Sequence, residues 1–322
     1  MFGLTFLSAT SATTTHRKAP FTFGGTFVNA VAGYVAGGDG GSFRSDIDKI
    51  AFAADSKTTL TATLTTAREA MAGFANSSVA GYAAGGKDSG FISSTDKIAF
   101  PLDTKSTLSA TLTSARFRMT GFANSGVAGY VAGGSDGSIS INGIDKIAFP
   151  VDSKTTLSAT LTTARTFPAG FANSGVAGYS AGGFGGGNRS DIDKIAFPVD
   201  SKTTLSATLS TGRDTAAGFA NSGVAGYVAG GSDSGGNVSG IDKITFAADS
   251  KTTLSATLTT ARSGPASFAN SGVAGYVAGG TDSGLISGII KVAFAADTLT
   301  TLSATLTSAR QYAAGFANSG TL

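Results

Sequence analysis

The chain has 322 residues, a formal net charge of +3, only 13% charged residues, and neither Cys nor Trp. The absence of cysteine excludes disulfide staples and thiolate metal sites, and a single histidine, His16, excludes a histidine-based catalytic triad or histidine metal cluster. Basic residues are spread along the chain with no long Lys/Arg run, so no nucleic-acid or membrane-surface patch is expected, and no stretch reaches the about 18 apolar residues of a membrane span.

Residues 1–20, MFGLTFLSATSATTTHRKAP, hold a short apolar run with no basic residue before it, so a cleaved secretory signal is not expected. Within them TFLSAT (5–10) has strand character, followed by His16-Arg17-Lys18 and Pro20. From residue 21 the chain becomes periodic. Versions of GVAGYVAGG end in the glycine pairs Gly37-Gly38, Gly85-Gly86, Gly133-Gly134, Gly182-Gly183, Gly230-Gly231 and Gly279-Gly280, at steps of 48, 48, 49, 48 and 49 residues. Such a period marks stacked units that bury a core only together.

One unit, residues 216–261, shows the plan. AAGFA and GVAGYVAGG are β-compatible runs that meet at Asn221-Ser222-Gly223, a tight-turn sequence. The loop SDSGGNVSG follows, then the alternating strand IDKITF, the turn AADSKT, and TTLSATLT, β-branched with a period of two. TAR closes the unit, and no window has the 3.6-residue periodicity of a helix. Four short antiparallel strands in each of six units predict an all-β, six-bladed β-propeller over 21–310. GVAGYVAGG is then a second strand close to the axis. Its small residues let neighbouring sheets approach, and the tyrosine (34, 82, 130, 179, 227, 276) packs between blades with its hydroxyl satisfied at an edge.

Residues 311–322 add an inner-type strand, AAGFANS, with no second strand after it. Together with TFLSAT this leaves a surplus strand at each terminus, to close the ring or to pair with another chain. The expectation adopted is that at least one end is an assembly handle, because a lone strand gains a row of hydrogen bonds on joining another sheet.

The order of these signals resembles the kelch repeat: a hydrophobic strand ending in a glycine pair, a variable loop, an aromatic-bearing strand, a turn, then an arginine. The arginines here are Arg68, Arg116, Arg165, Arg213, Arg262 and Arg310, with Arg17 as an early seventh. Kelch units carry Trp in the outer strand where this chain has Leu, as in TTLSATL. The repeats also look like those of marine and cyanobacterial phage virion proteins. That resemblance implies a virion location, or alternatively an extracellular or cell-surface one.

Asp48-Lys49, Asp96-Lys97, Asp145-Lys146, Asp193-Lys194 and Asp242-Lys243 are adjacent on strands and point to opposite faces. Five identical copies suit blade-to-blade ion pairs with the repeated arginines rather than catalysis; Ile290-Lys291 breaks the series. Asp39, Asp88, Asp136, Asp233 and Asp282 follow glycine pairs and read as turn formers. No cofactor is expected, although oxygen-rich loops of this kind leave calcium open.

Turns after the first and third strands (NSG, DSK) hardly change between units, whereas the loop after each glycine pair and the residues after each arginine (EAM, FRM, TFP, DTA, SGP, QYA) all differ. Alternating strand direction sends the constant turns to one face and the variable loops to the other. Phe43, Arg44, Phe91, Phe117, Arg118, Phe167, Phe184 and Arg189 on the variable face are therefore the candidate binding residues. The expected function is non-enzymatic: a virion or tail-fibre attachment protein in an oligomeric assembly, binding a host surface glycan or another virion protein. The alternative is a propeller lectin or scaffold.

Overall fold

The computed structural model describes residues 31–319, and every regular element among them is a β-strand. Six four-stranded antiparallel sheets stand around one axis as the blades of a β-propeller. In the second blade the strands run outward from the axis as Ala72–Asn76, Ala80–Lys87, Phe91–Ala99 and Thr104–Thr107. Burial follows the composition of each strand. Ala80 to Gly86 is buried throughout, the third strand alternates beyond Thr95, and the outermost is largely exposed. An all-apolar second strand is buried on both faces, because neighbouring blades cover both sides of it.

The first blade corrects the count of surplus strands. Its innermost strand is Ala314–Asn318, paired antiparallel with Ala32–Asp39 in the register Tyr34↔Phe316. The C-terminal strand is thus no leftover; the described chain enters the first blade at its second strand, and the far end supplies the missing one. The ring closes by a sheet ladder, a bond no local signal could reveal. The N-terminal TFLSAT, and the handle expected of it, lie outside the described residues.

A second difference concerns the outer strand. The ladder is carried by Ser56–Thr59 and its equivalents rather than by TTLSATLT. Beyond Thr59 the bonds are Leu60 N–H to Ile47 O (2.9 Å) and Leu64 N–H to Ser45 O (2.8 Å), so residues 61–63 stand opposite Asp46 alone. Such a bulge breaks up a free sheet edge while Leu64 is brought into the core. Only the sixth blade keeps a long outer strand, Thr298–Thr305.

Seams between blades explain the repeated wording. The glycine of each AGY lies flat beneath the phenylalanine of the preceding blade; a Cβ on Gly129 would sit 2.2 Å from the Phe74 ring, and Gly33, Gly81, Gly178, Gly226 and Gly275 are seated in the same way. Tyr82 stacks on Phe74 at 5.1 Å and on Phe149 of the next blade at 5.3 Å. Its hydroxyl donates to Asp152 in that blade (3.0 Å), and Lys97 binds the other oxygen of the same carboxylate (2.6 Å). This Tyr–Asp–Lys clamp recurs in all six seams, including Tyr276 and Lys291 on Asp55 across the ring closure. Each clamping aspartate has a positive φ (46–55°), a conformation Asp tolerates in turns.

Nearer the variable face, Arg68, Arg116, Arg165 and Arg213 reach Asp96, Asp145, Asp193 and Asp242 of the next blade at 3.1–3.4 Å, and Arg310 reaches Asp48. Burial alone would raise the Asp96 carboxyl, but Thr107, Thr65 and Arg68 outweigh it and hold it below its ordinary value. Asp48 and Asp242 are lowered by the same balance. Ile290 leaves Arg262 without a carboxylate there; the buried guanidinium bonds the carbonyls of Gly279 (3.1 Å) and Gly288 (3.3 Å) instead.

Candidate functional site

The strand order places the turns as the sequence implies. NSG-type turns and the turns holding the clamping aspartates share one face, while loops after the glycine pairs and after the arginines share the other. Innermost strands crowd the axis so tightly that a Cβ on Gly121 would meet the Gly73 carbonyl oxygen at 2.4 Å, and one on Gly218 the Gly170 oxygen at the same distance. What remains along the axis is a cavity of about 120 Å³ lined by Gly73, Gly121, Gly170, Gly218, Ser267 and Gly315 among others.

At the variable mouth of this cavity the second residue after each repeated arginine joins a closed ring. Ala70 N–H donates to Tyr312 O (2.8 Å), Arg118 to Ala70 (2.8 Å), Phe167 to Arg118 (2.7 Å), Thr215 to Phe167 (3.1 Å), Gly264 to Thr215 (2.8 Å) and Tyr312 to Gly264 (2.7 Å). All six have positive φ, between 50° and 64°, although only one is glycine. A non-glycine residue held in this region costs on the order of 1 kcal/mol, and such outliers gather at functional sites.

Side chains on this ring converge. Phe167 and Tyr312, three steps apart and hence on opposite sides of the axis, stack at 5.0 Å. The Arg118 guanidinium lies between Phe117 (4.5 Å) and Phe167 (4.9 Å), and Phe91 stacks on the far side of Phe117 at 5.0 Å. The result is a continuous ladder, Phe91–Phe117–Arg118–Phe167–Tyr312, beside a depression of about 90 Å³ floored by Met71, Met119, Pro168 and Pro265. Glu69 and Asp214 stand just outside the ring, at seams on opposite sides of the axis. Burial, then Asp39, pushes the Glu69 carboxyl up against the pull of Lys87 and Arg118. Burial likewise raises Asp214, opposed by the Thr215 hydroxyl and Arg118.

Of the eight candidates, four belong to this ladder: Phe91, Phe117, Arg118 and Phe167. Phe117 is itself buried, at 6% exposure, so it supports the site more than it displays anything. Phe43 and Phe184 are exposed on separate loops without a ring partner. Arg44 and Arg189 belong to the scaffold. Arg44 holds Asp46, which also binds Arg310, and Arg189 holds Asp191, which also binds Arg165. Tyr312, Lys87, Glu69 and Asp214 were missed by the sequence reading. The register past each arginine was the available signal, two residues on for Tyr312 and one residue on for Glu69 and Asp214; nothing local marks Lys87.

Asp39, Asp88, Asp136 and Asp233 each accept a backbone N–H within their own loops, at 2.7–2.9 Å. No group of three His, Cys, Asp or Glu gathers as a metal site among the described residues. Compared with known proteins, the chain matches no family model and no curated sequence.

Proposed function

We propose that this kelch-like propeller is a non-enzymatic recognition module that binds a surface glycan at the axial mouth of its variable face. A virion or tail fibre as its setting rests on the sequence resemblance. One observation carries the reading. The six ring positions share a single backbone geometry yet hold six different residues, Ala70, Arg118, Phe167, Thr215, Gly264 and Tyr312, three of them large and gathered over the axis. A small concavity with an apolar floor, aromatic edges and carboxylates suits a sugar ring, whose faces are apolar and whose hydroxyls seek charged acceptors. A glycan array probed with the intact protein tests it. Binding is expected, and is expected to be lost in Phe167→Ala/Tyr312→Ala with an unchanged melting temperature; binding retained in that variant overturns the assignment.

A second reading, contact of the opposite face with a neighbouring protein, is supported by Leu102, Val151 and Val199, which are 72–81% exposed on three consecutive blades. Large exposed aliphatics recurring at the same turn of neighbouring blades suit a contact surface. Replacing all three with Ser is expected to abolish any self-association seen by sedimentation; an unaltered profile in a protein that self-associates removes this reading.

A further inference from the structure

Cations in this molecule belong almost entirely to the scaffold. Each third-strand lysine of the six Tyr–Asp–Lys clamps is ion-paired, as are the outer-turn lysines of five seams and the seam arginines apart from Arg262, which bonds carbonyls. Arg44 and Arg189 are paired as well. Among the described residues this leaves two, Lys87 and Arg118, whose side chains have neither an ion pair nor a hydrogen bond. Both lie against one ring: the Lys87 ammonium is 5.6 Å from the centre of Phe117, and the Arg118 guanidinium 4.5 Å from it. Phe167 covers the other face of the guanidinium. Arg118 is fixed at its backbone too, with φ of 62° and its N–H on the Ala70 carbonyl.

A guanidinium held between two rings, with its N–H groups bonded to nothing else, presents a fork that matches the two oxygens of a carboxylate. Preorganisation of this kind removes the ordering cost that usually weakens an exposed arginine. The surroundings limit what else the ligand carries. Asp39, Glu69, Asp88 and Asp214 lie around the pair without an ion-pair partner, so a polyanion would be repelled, while hydroxyl groups would find acceptors. We propose that Lys87 and Arg118 form an anion subsite that takes the single carboxylate of an acidic sugar on an otherwise neutral glycan. This rests on the glycan-binding reading above and names its anchor.

Titration of the ¹⁵N-labelled full chain with methyl glucuronide and with methyl glucoside tests the subsite. The glucuronide is expected to shift the Arg118 Nε–H resonance and to bind at least about tenfold more tightly than the glucoside. Arg118→Gln should erase that preference at an unchanged melting temperature, Arg118→Lys should keep part of it, and Lys87→Gln should reduce it roughly threefold. Equal binding of the two sugars, or a preference that survives in Arg118→Gln, overturns the subsite. If Phe167→Ala/Tyr312→Ala still abolishes both sugars in that case, the glycan reading stands without it. If neither sugar binds but a glutamate-containing peptide does, and is lost in Arg118→Gln, the carboxylate comes from a protein and both readings fall.

Discussion

The two mouths of the axis are built by the same six repeats, but they close by different chemistry. At the constant mouth, side chains make the bonds. The Asn76, Asn124, Asn173 and Asn221 carboxamides each accept a backbone N–H from the next blade at 2.9–3.0 Å, and the hydroxyls of Ser125, Ser174, Ser222 and Ser271 each accept one from the blade before at 3.1–3.2 Å. At the variable mouth, backbone alone closes the ring, and the side chains are released from that duty. Sequence is held constant where side chains carry the closure and is free where they do not. Variation on one face therefore has a physical permit.

Four experiments break or sharpen the contrast. The largest effect is expected from deleting residues 313–322, which leaves Tyr312 in the variable ring but removes the innermost strand of the first blade and the Asn318 acceptor of the constant mouth. Loss of that ladder opens the propeller, so the cooperative transition in a circular-dichroism melt should vanish, a loss comparable with a whole domain stability of about 5–15 kcal/mol. Next comes Gly129→Ala, whose new methyl group would fall 2.2 Å from the Phe74 ring; overpacking of this kind costs about 1–3 kcal/mol. Chemical denaturation should show it, whereas Gly126→Ala in the adjacent turn, with nothing within 4 Å, should cost only the strain of its φ of 79°.

Acid provides a third lever. Asp48, Asp96 and Asp242 have folded pKa values below their ordinary 3.8, so they favour folding above that value. Their contribution is lost as pH falls below about 3.8 through the folded values, because the unfolded chain takes up protons first. Melting temperature should therefore drop along this acid limb, and more steeply than in Asp96→Asn, which lacks one of the three groups. The smallest effects separate the mouths directly. Asn173→Ala removes an acceptor that ties two blades together and should cost about 1–2 kcal/mol, whereas Thr215→Ala, on the variable ring, loses only the bond to its neighbour Asp214 (3.0 Å) and should cost about 0.5–1 kcal/mol.

Much of this architecture is legible in the sequence because each blade repeats the same local signals. The glycine pairs and the NSG turn fix strand count and direction, and the direction separates the faces. The Asp–Arg pairing follows from the recurrence of both residues once per unit, and the broken copy at Ile290 shows directly as Arg262 bonded to carbonyls. What was not legible depends on contacts between distant units. AAGFANS reads as surplus until it is paired with Ala32–Asp39, because ladder closure across the whole chain leaves no nearby mark. Arg44 and Arg189 read as displayed cations, yet Asp46 and Asp191, two residues on, fold them back into the seams. Tyr312 stands next to Gln311 as one more variable residue; only the ring geometry carries it across the axis to Phe167.

The backbone ring of the variable mouth has an electrostatic consequence. Its six hydrogen bonds run head to tail in one rotational sense, each N–H pointing to the carbonyl of the ring residue before it. A helix adds its peptide dipoles along a line and so presents a charged end; dipoles arranged around a circle cancel in its plane. The rim thus carries no net dipole within its own plane. The potential there is set largely by the side chains mounted on the rim and beside it, so exchanging a single ring residue, as Arg118→Glu would, replaces one of the two cations at the mouth with a further carboxylate while the backbone bonds of the ring stay the same.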